Sequence, residues 1–404
     1  MTSPESTPIL SIIIPTRNRP EYAISAIRSA LSIASEEIEL IVQDNSDGDE
    51  LSALLAAYES DGRLRYQHTK ERLDVIANFN KALDLARGEY FTFIGDDDGV
   101  NPEILDAVRW AKQEGLDALT PTLIADYFWP DMTQKYYGNK SAGNLRIRPF
   151  NGSISFPNVE QGMRECARNA GQNLVHFTAL PKVYYGIVKR ACMEKVREKT
   201  GTYFPGVSPD MSGAMAAASY VQRLGVVDYP LFVPGSSIKS TAGSSARKQH
   251  LGRLQDQPHL PHGCWDHWPD RVPSFFAVQT VWAQSLVRTL EATDRYDVLK
   301  HFNTPLLHAM CAVFNPPFFR FTLKSYYHHL SQQRASYLLG TLQLLIGFAH
   351  TWWLRIRTKL QLLTRWTSPK EGVIPELPSI EHAVEALTQT LATRKQSFLG
   401  VIGR

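Results

Sequence analysis

"GEYFTFIGDDDGVNPEIL", residues 88–105, sets a short apolar run, Tyr90 to Ile94, directly before three consecutive aspartates, Asp96, Asp97 and Asp98. The run has the length of a buried strand and ends in glycine. After the acids, Asn101 offers a helix cap and Pro102 a first helical turn. Nothing basic lies within the stretch. Three carboxylates this close raise one another's pKa unless a cation compensates. The fold turns on this element, which passes from strand to helix through a knot of negative charge.

The same alternation runs on both sides of it. "ILSIIIP" (9–15) is β-branched, continuously apolar and closed by proline, as suits a strand covered on both faces. In "TRNRPEYAISAIRSAL", Asn18 can cap, Pro20 can take the first turn, and Ile24, Ile27 and Leu31 share one helix face. "EIELIVQDNSDGD" (37–49) predicts a second strand running into a polar turn. "LDVIANFNKALDLARGEY" (73–90) predicts a helix capped by Asp74 and ended at Gly88, with Ile76, Phe79, Leu83 and Ala86 inward. "DALTPTLIADYF" (117–128) supplies a fourth strand, and "VYYGIVKRACMEKV" (183–196) a strand passing into a helix. Beyond about residue 272 the pattern is mostly helical.

Strands alternating with helices of this length predict an α/β fold with a mainly parallel central sheet. Ligands of such sheets bind outside the carboxyl ends of the strands. Three polar clusters fall there: "PTRNRP", "QDNSDGD" and "GDDDGVNP". If their strands are neighbours, the clusters share one crevice.

Hydrophobic content of 43% and charged content of 21% over 404 residues are those of a globular protein of one or two domains. Four widely spaced cysteines with no C-x-x-C pattern argue against a disulfide scaffold and fit a reducing, cytoplasmic setting. The first residues show no signal-peptide pattern, and no apolar run is long enough to span a bilayer. The net charge of +3 hides an asymmetry, although nothing in it points to nucleic acid. From Val298 to Lys370 there are nine Lys/Arg and no Asp or Glu, so the remainder carries −6 (3 − 9). That segment suits a surface that meets something anionic.

The aspartates admit three readings. One is a solvated loop in which Asp98 caps the following helix. A second is a calcium loop, whose spacing and distal glutamate are missing. The third is a divalent cation held by one or two carboxylates together with the phosphates of a bound nucleotide.

Taken together, "SIIIPTRNRPEYAISAIRSAL", "ELIVQDNSDGDE" and "ANFNKALDLARGEYFTFIGDDDGVNPEIL" resemble the nucleotide-sugar domain of family 2 glycosyltransferases, which have the GT-A fold. The resemblance is strong over 9–125, weaker to about 245 and absent beyond about 270. It implies a glycosyltransferase-like region over 1–270, with a nucleotide-binding half (9–125) and an acceptor half (126–270). Residues 271–404 then form a mainly helical region, a candidate for membrane association. The implied activity is metal-dependent transfer of a sugar from a nucleotide-sugar donor to a glycan or lipid-linked acceptor, inverting by single displacement. Pro15, Thr16, Arg17 and Asp44 would hold base and ribose, and Arg72 and Asn78 would face the same pocket. Asp96 and Asp97 would meet the diphosphate, with Asp96 and Asp98 on Mn²⁺ or Mg²⁺ and Asp98 the first choice. Asp210 in "SPDMSGAM" fits the family's catalytic base, though the same residue could simply cap an Ala-rich helix. Two departures stand out. Gln43–Asp44 replaces the frequent acidic pair, and Gly95 stands where many members place the first acid of the D-x-D motif. The alternatives are a nucleotidyltransferase, and an inactive nucleotide-sugar-binding scaffold at the membrane.

Three further segments carry candidates. "GSSIKSTAGSSARKQH" (235–250) is basic and Gly/Ser-rich, with Lys239, Arg247 and Lys248 for a diphosphate and His250 as a further metal ligand. "HLPHGCWDHW" holds His259, His262, Cys264 and His267, in a spacing foreign to the usual zinc patterns. "TLQLLIGFAHTWWLRIRTKLQLLTRW" joins an apolar helix pattern to Trp352, Trp353, Arg355, Arg357, Lys359 and Arg365. It reads either as contact with an anionic membrane, at the inner face of the cell membrane, or as a helical subdomain packed on the rest.

Overall fold

A computed structural model describes residues 7–132, 141–172, 174, 179–240, 251–364 and 372–403. The strands are β1 (Leu10–Thr16), β2 (Ile38–Asp44), β3 (Leu64–His68), β4 (Tyr90–Phe93), β5 (Gly99–Val100), β6 (Ala118–Pro121) and β7 (Ala125–Phe128). They continue as β8 (Leu145–Ile147), β9 (Ile154–Ser155), β10 (Ile187–Lys189), β11 (Leu224–Val227), β12 (Phe232–Val233), β13 (Gly235–Ser236) and β14 (Gly372–Ile374). The helices of the first half are α1 (Pro20–Leu31), α2 (Glu50–Leu55), α3 (Val75–Asp84), α4 (Ile104–Gln113), α5 (Val159–Arg168), α6 (Arg190–Thr200) and α7 (Pro209–Ala218). Those of the second are α8 (Val278–Ala292), α9 (Tyr296–Leu299), α10 (Thr304–Phe314), α11 (Phe319–Gln332), α12 (Tyr337–Thr364), α13 (Ile380–Thr393) and α14 (Phe398–Ile402).

The main sheet has the order β3-β2-β1-β4-β10-β6-β11-β9. β1 lies parallel between β2 and β4, so the three polar clusters named above do end side by side. Ile12, Ile13 and Ile14 have no exposure at all, as a strand covered on both faces requires. The sheet is not wholly parallel. β10 runs antiparallel between β4 and β6 and separates them in the sheet. The single strand expected over 117–128 is two strands, β6 in the main sheet and β7 in a smaller one ordered β13-β7-β8-β14.

Local signals held in part. Asp74 caps α3 by accepting from the Ala77 amide. Asn18 does not cap α1. It adopts φ 56° and binds the Asp47 side chain, leaving Arg19 at the cap position. α4 starts at Ile104, because Asn101 closes a turn onto the Glu103 amide instead of capping a helix. α3 ends at Asp84, ahead of Gly88. Glycine at 88 answers a different need, since a Cβ there would stand 2.6 Å from the Ser11 amide of β1.

One apolar core joins the sheet to α5, α6, α7, α8 and α10. The other lies on the opposite face with α1 and α4. The chain's end returns to that second core. β14 pairs with β8, and Ile380, Val384, Leu387, Leu391 and Phe398 are buried beside α1 and β5.

Candidate functional site

The site forms where β1, β2 and β4 end. Thr16 closes β1, and its hydroxyl donates to Asp96 Oδ2 at 2.6 Å. Arg19, one turn on, reaches back over the same acids. Its Nη1 lies 2.5 Å from Asp96 Oδ1 and its Nη2 3.0 Å from Asp97 Oδ2. Nη2 also donates to Ser237 Oγ at 2.7 Å. Ser237 in turn donates its hydroxyl to Asp97 Oδ2 at 2.6 Å. Burial works against the charge of Arg19, yet Asp96 and Asp97 outweigh it and hold the guanidinium firmly charged. The cation that the acidic triplet needs is therefore supplied in part by the protein itself.

The three acids differ in their surroundings. Asp98 Oδ2 accepts from the Gly95 amide at 2.6 Å and the Tyr185 hydroxyl at 2.7 Å, with Tyr184 at 3.3 Å. Its Oδ1 accepts from the Gly235 amide at 2.7 Å. This carboxylate is fully engaged and ties β4, β10 and β13 together. Burial, opposed by Arg19, raises the Asp96 carboxyl to about 7; burial and Asp97 raise Asp98 to about 7. Asp96 Oδ1 is buried and takes no hydrogen bond beyond its ion pair. Glycine at 95 has a steric cause, because a Cβ there would meet Tyr184 Oη at 2.5 Å and Asp98 Oδ2 at 2.7 Å. Gly235 passes closer still, its added Cβ falling 1.8 Å from the Asp97 carbonyl oxygen.

At the end of β2, Asp44 is buried, accepting from the Ser46 amide at 2.8 Å and from Tyr66 Oη at 2.9 Å. Arg17 donates to the Asn45 carbonyl at 2.6 Å and to Asp47 at 2.5 Å, which binds the first two clusters together. Pro15 pairs with Gln43 in the β1–β2 register. Arg72 is exposed and donates to the Pro258 carbonyl at 3.5 Å. Asn78 is buried on α3, with a side-chain oxygen that has no hydrogen-bond partner among the described residues.

Asp210 is the second residue of α7. Ser208 holds the cap position, and no side-chain bond from Asp210 caps the helix. Among the described residues its carboxylate takes no hydrogen bond, and it is partly exposed. Burial nonetheless raises it to about 6. It acts electrostatically on Tyr184, the residue that also reaches Asp98.

Among the described residues no group of three or more His, Cys, Asp or Glu is arranged to hold a metal. His259 and His262 instead pack on Phe276 and Trp265. Lys239 pairs with Glu21 at 2.6 Å, while Arg247, Lys248 and His250 lie outside the described residues. A cation supported here by one or two carboxylates plus ligand phosphates is compatible with Asp96 Oδ1, which has the ion pair to Arg19 and no hydrogen bond. The sequence reading did not single out Arg19, Ser237, Tyr184 or Tyr185. Arg19 was visible in the "PTRNRP" cluster, whose position at a strand end was its only signal.

Residues 11–156 match the family described as Glycosyl transferase family 2. This part of the chain thus resembles a family 2 glycosyltransferase domain, on an α/β fold with a mainly parallel central sheet. Most of its curated relatives are named as glycosyltransferases. It is 35% identical over 112 residues to the GalNAc(5)-diNAcBac-PP-undecaprenol beta-1,3-glucosyltransferase of Campylobacter jejuni, covering 27% of this chain and 36% of that one. It is also 35% identical over 89 residues to an uncharacterized glycosyltransferase of Rickettsia conorii, covering 22% and 15%. The matches span about two fifths or less of the length of the curated relatives. S. aureus TarS 1-349 in complex with UDP-GlcNAc aligns over 81% of this chain and 93% of its own, at TM-score 0.43 and 17% identity. Among the described residues no helix is long and apolar enough to cross a membrane.

Proposed function

We propose that the protein is a glycosyltransferase that moves a sugar from a nucleotide-sugar donor to a glycan or lipid-linked acceptor, with inversion. The observation that carries the reading is the meeting of Thr16, Asp44 and Asp96–Asp98 at three adjacent strand ends, in a domain of this family. On this reading Pro15, Thr16, Arg17 and Asp44 hold the nucleoside, with Arg72 and Asn78 as further contacts. Asp96 and Asp97 face the diphosphate.

The acidic site suits Mn²⁺ or Mg²⁺, which would offset charge on the departing diphosphate. Asp96 is the carboxylate with an oxygen to give it. Asp98 reaches it only by surrendering donors from Gly95, Tyr185 or Gly235. We therefore assign the primary contact to Asp96, and to Asp98 the task of holding the loop. Arg19 moves from the acids to the donor's phosphates as they enter, exchanging one anionic partner for another.

Transfer is a single displacement. The acceptor hydroxyl oxygen bonds to the anomeric carbon as the bond from that carbon to the diphosphate breaks. The diphosphate leaves with the electron pair. Asp210 takes the hydroxyl proton, which its raised pKa favours. The test is a panel of nucleotide sugars offered with Mn²⁺ or Mg²⁺. Release of nucleoside diphosphate from one of them supports the reading. Release of pyrophosphate from a nucleoside triphosphate would favour a nucleotidyltransferase, and binding without turnover an inactive scaffold.

A further inference from the structure

The acid-free segment builds a surface that the catalytic reading does not use. α12 packs on α10 and α11 through Gly340, Leu344, Gly347 and Thr351, all buried. The glycines permit that closeness: a Cβ at Gly340 would meet Leu330 at 2.4 Å, and one at Gly347 would meet Ala309 at 3.1 Å. At about 100° per residue these four positions occupy one narrow face. Leu338, Leu342, Leu345, Ile346, Trp353 and Ile356 fall within an arc of about 100° on the opposite face. Every one of them is more than half exposed, and Leu338 is 84% exposed. A ridge of large apolar side chains on a helix about 42 Å long thus faces away from the protein.

Cations border it on both sides. The same helical geometry puts Arg357 at one edge of the arc and Lys359 at the other, with Arg355 beyond Lys359. Arg357 lies over the Trp353 ring at 5.4 Å, and Arg355 over Trp352 at 5.1 Å and Phe314 at 5.4 Å. α11 adds the exposed Phe319, Arg320, Phe321 and Lys324. No acid occurs between Val298 and Lys370. Such a helix is too polar to span a bilayer, but its apolar arc, aromatic rings and bordering cations suit the plane of an anionic membrane surface. Two copies meeting through this face would bring like charges together.

We propose that α12, with the start of α11, docks on an anionic lipid surface with its Leu338–Ile356 ridge inserted among the acyl chains. The proposal stands apart from the catalytic reading, since none of these residues belongs to the aspartate site. α12 rests on α10, α10 on α8, and α8 on α7, the helix that carries Asp210. Docking would therefore anchor the acceptor side of the molecule to the membrane through a continuous helical stack.

The test is co-sedimentation of the full chain with vesicles of phosphatidylglycerol and phosphatidylcholine, against phosphatidylcholine alone. The expected result is binding to the anionic vesicles only, release by high salt, and a blue shift of tryptophan emission on binding. Leu345→Gln with Ile346→Gln should abolish binding while leaving the melting temperature and donor binding unchanged. Arg357→Gln with Lys359→Gln should weaken partitioning about 25-fold, from about 5-fold per cation. Equal recovery in the supernatant with and without vesicles would overturn the proposal. So would unchanged binding by the Leu345/Ile346 variant, or a lipid-free dimer that this variant dissociates.

Discussion

Asp210→Asn removes a proton acceptor while keeping the shape of the residue. The surroundings of Asp210 predict what is lost. Its carboxylate has no hydrogen-bond partner among the described residues and does not cap its helix, so asparagine leaves no donor orphaned and stability should hold. A positioned base contributes about 10²- to 10⁴-fold, and turnover should fall by that amount. Donor affinity should stay within about 2-fold, because no hydrogen bond among the described residues ties the Asp210 carboxylate to Asp44 or Asp96–Asp98. Burial raises Asp210 to about 6, and a base must be deprotonated to act. Activity should therefore be full above pH 7 and decline through 6. At pH 5 about 9% of the carboxylate is ionised, against about 93% for an unperturbed aspartate. The assay is kcat/KM for the acceptor at saturating donor, followed from pH 4.5 to 8, with donor binding measured over the same range. Loss of donor binding in parallel would place the limb on Asp96 or Asp98, both raised to about 7. A variant that keeps a tenth or more of wild-type turnover, or a limb near pH 4, would refute the assignment.

Three other outcomes follow from the same contacts. Arg19→Gln leaves Asp96 and Asp97 buried without their countercharge, which should cost about 3–5 kcal/mol. Mn²⁺ should raise the melting temperature of this variant more than that of the wild type, and an equal rise would deny that guanidinium and metal serve the same carboxylates. Asp98→Asn leaves the Gly235 amide or the Gly95–Tyr185 pair facing an amide group, and should lower stability by about 1–3 kcal/mol in urea titration. Because the folded Asp98 pKa lies above its unfolded value, wild-type stability from this group is full below about pH 4 and is lost as pH rises through 7. Phe398→Ala should cost about 3–5 kcal/mol, since the ring is fully buried edge-on to Trp110 and Tyr229. A loss below 1 kcal/mol would show that the chain's end does not belong to the core.

The parts of the fold read correctly from sequence are those set by neighbours in the chain. The isoleucines of β1 and the Asp74 cap follow from local rules, and the crevice at three strand ends follows from alternation plus the parallel order. What escaped depends on partners far away in sequence. Arg19 and Asp96 are 77 positions apart, and only folding makes one the countercharge of the other (96 − 19). β10 enters the sheet from beyond β6, which no periodicity announces. Asn18 and Asn101 looked like caps, but each found a nearer or stronger partner in a turn. The donors that hold Asp98, from Gly95, Tyr185 and Gly235, are likewise beyond what a count of acids in the sequence can show. The ridge on α12 was visible as composition, but only packing shows which side of the helix is left uncovered.

The central claim is that the acids at the ends of β1, β2 and β4 bind an activated sugar through a cation. Calorimetric titration of a nucleotide-sugar panel into the full chain, with and without Mn²⁺, tests it most directly. The account predicts one strong binder, tightened by the metal and lost in Asp96→Asn. Absence of heat for every donor, or binding indifferent to both the metal and Asp96, would contradict it.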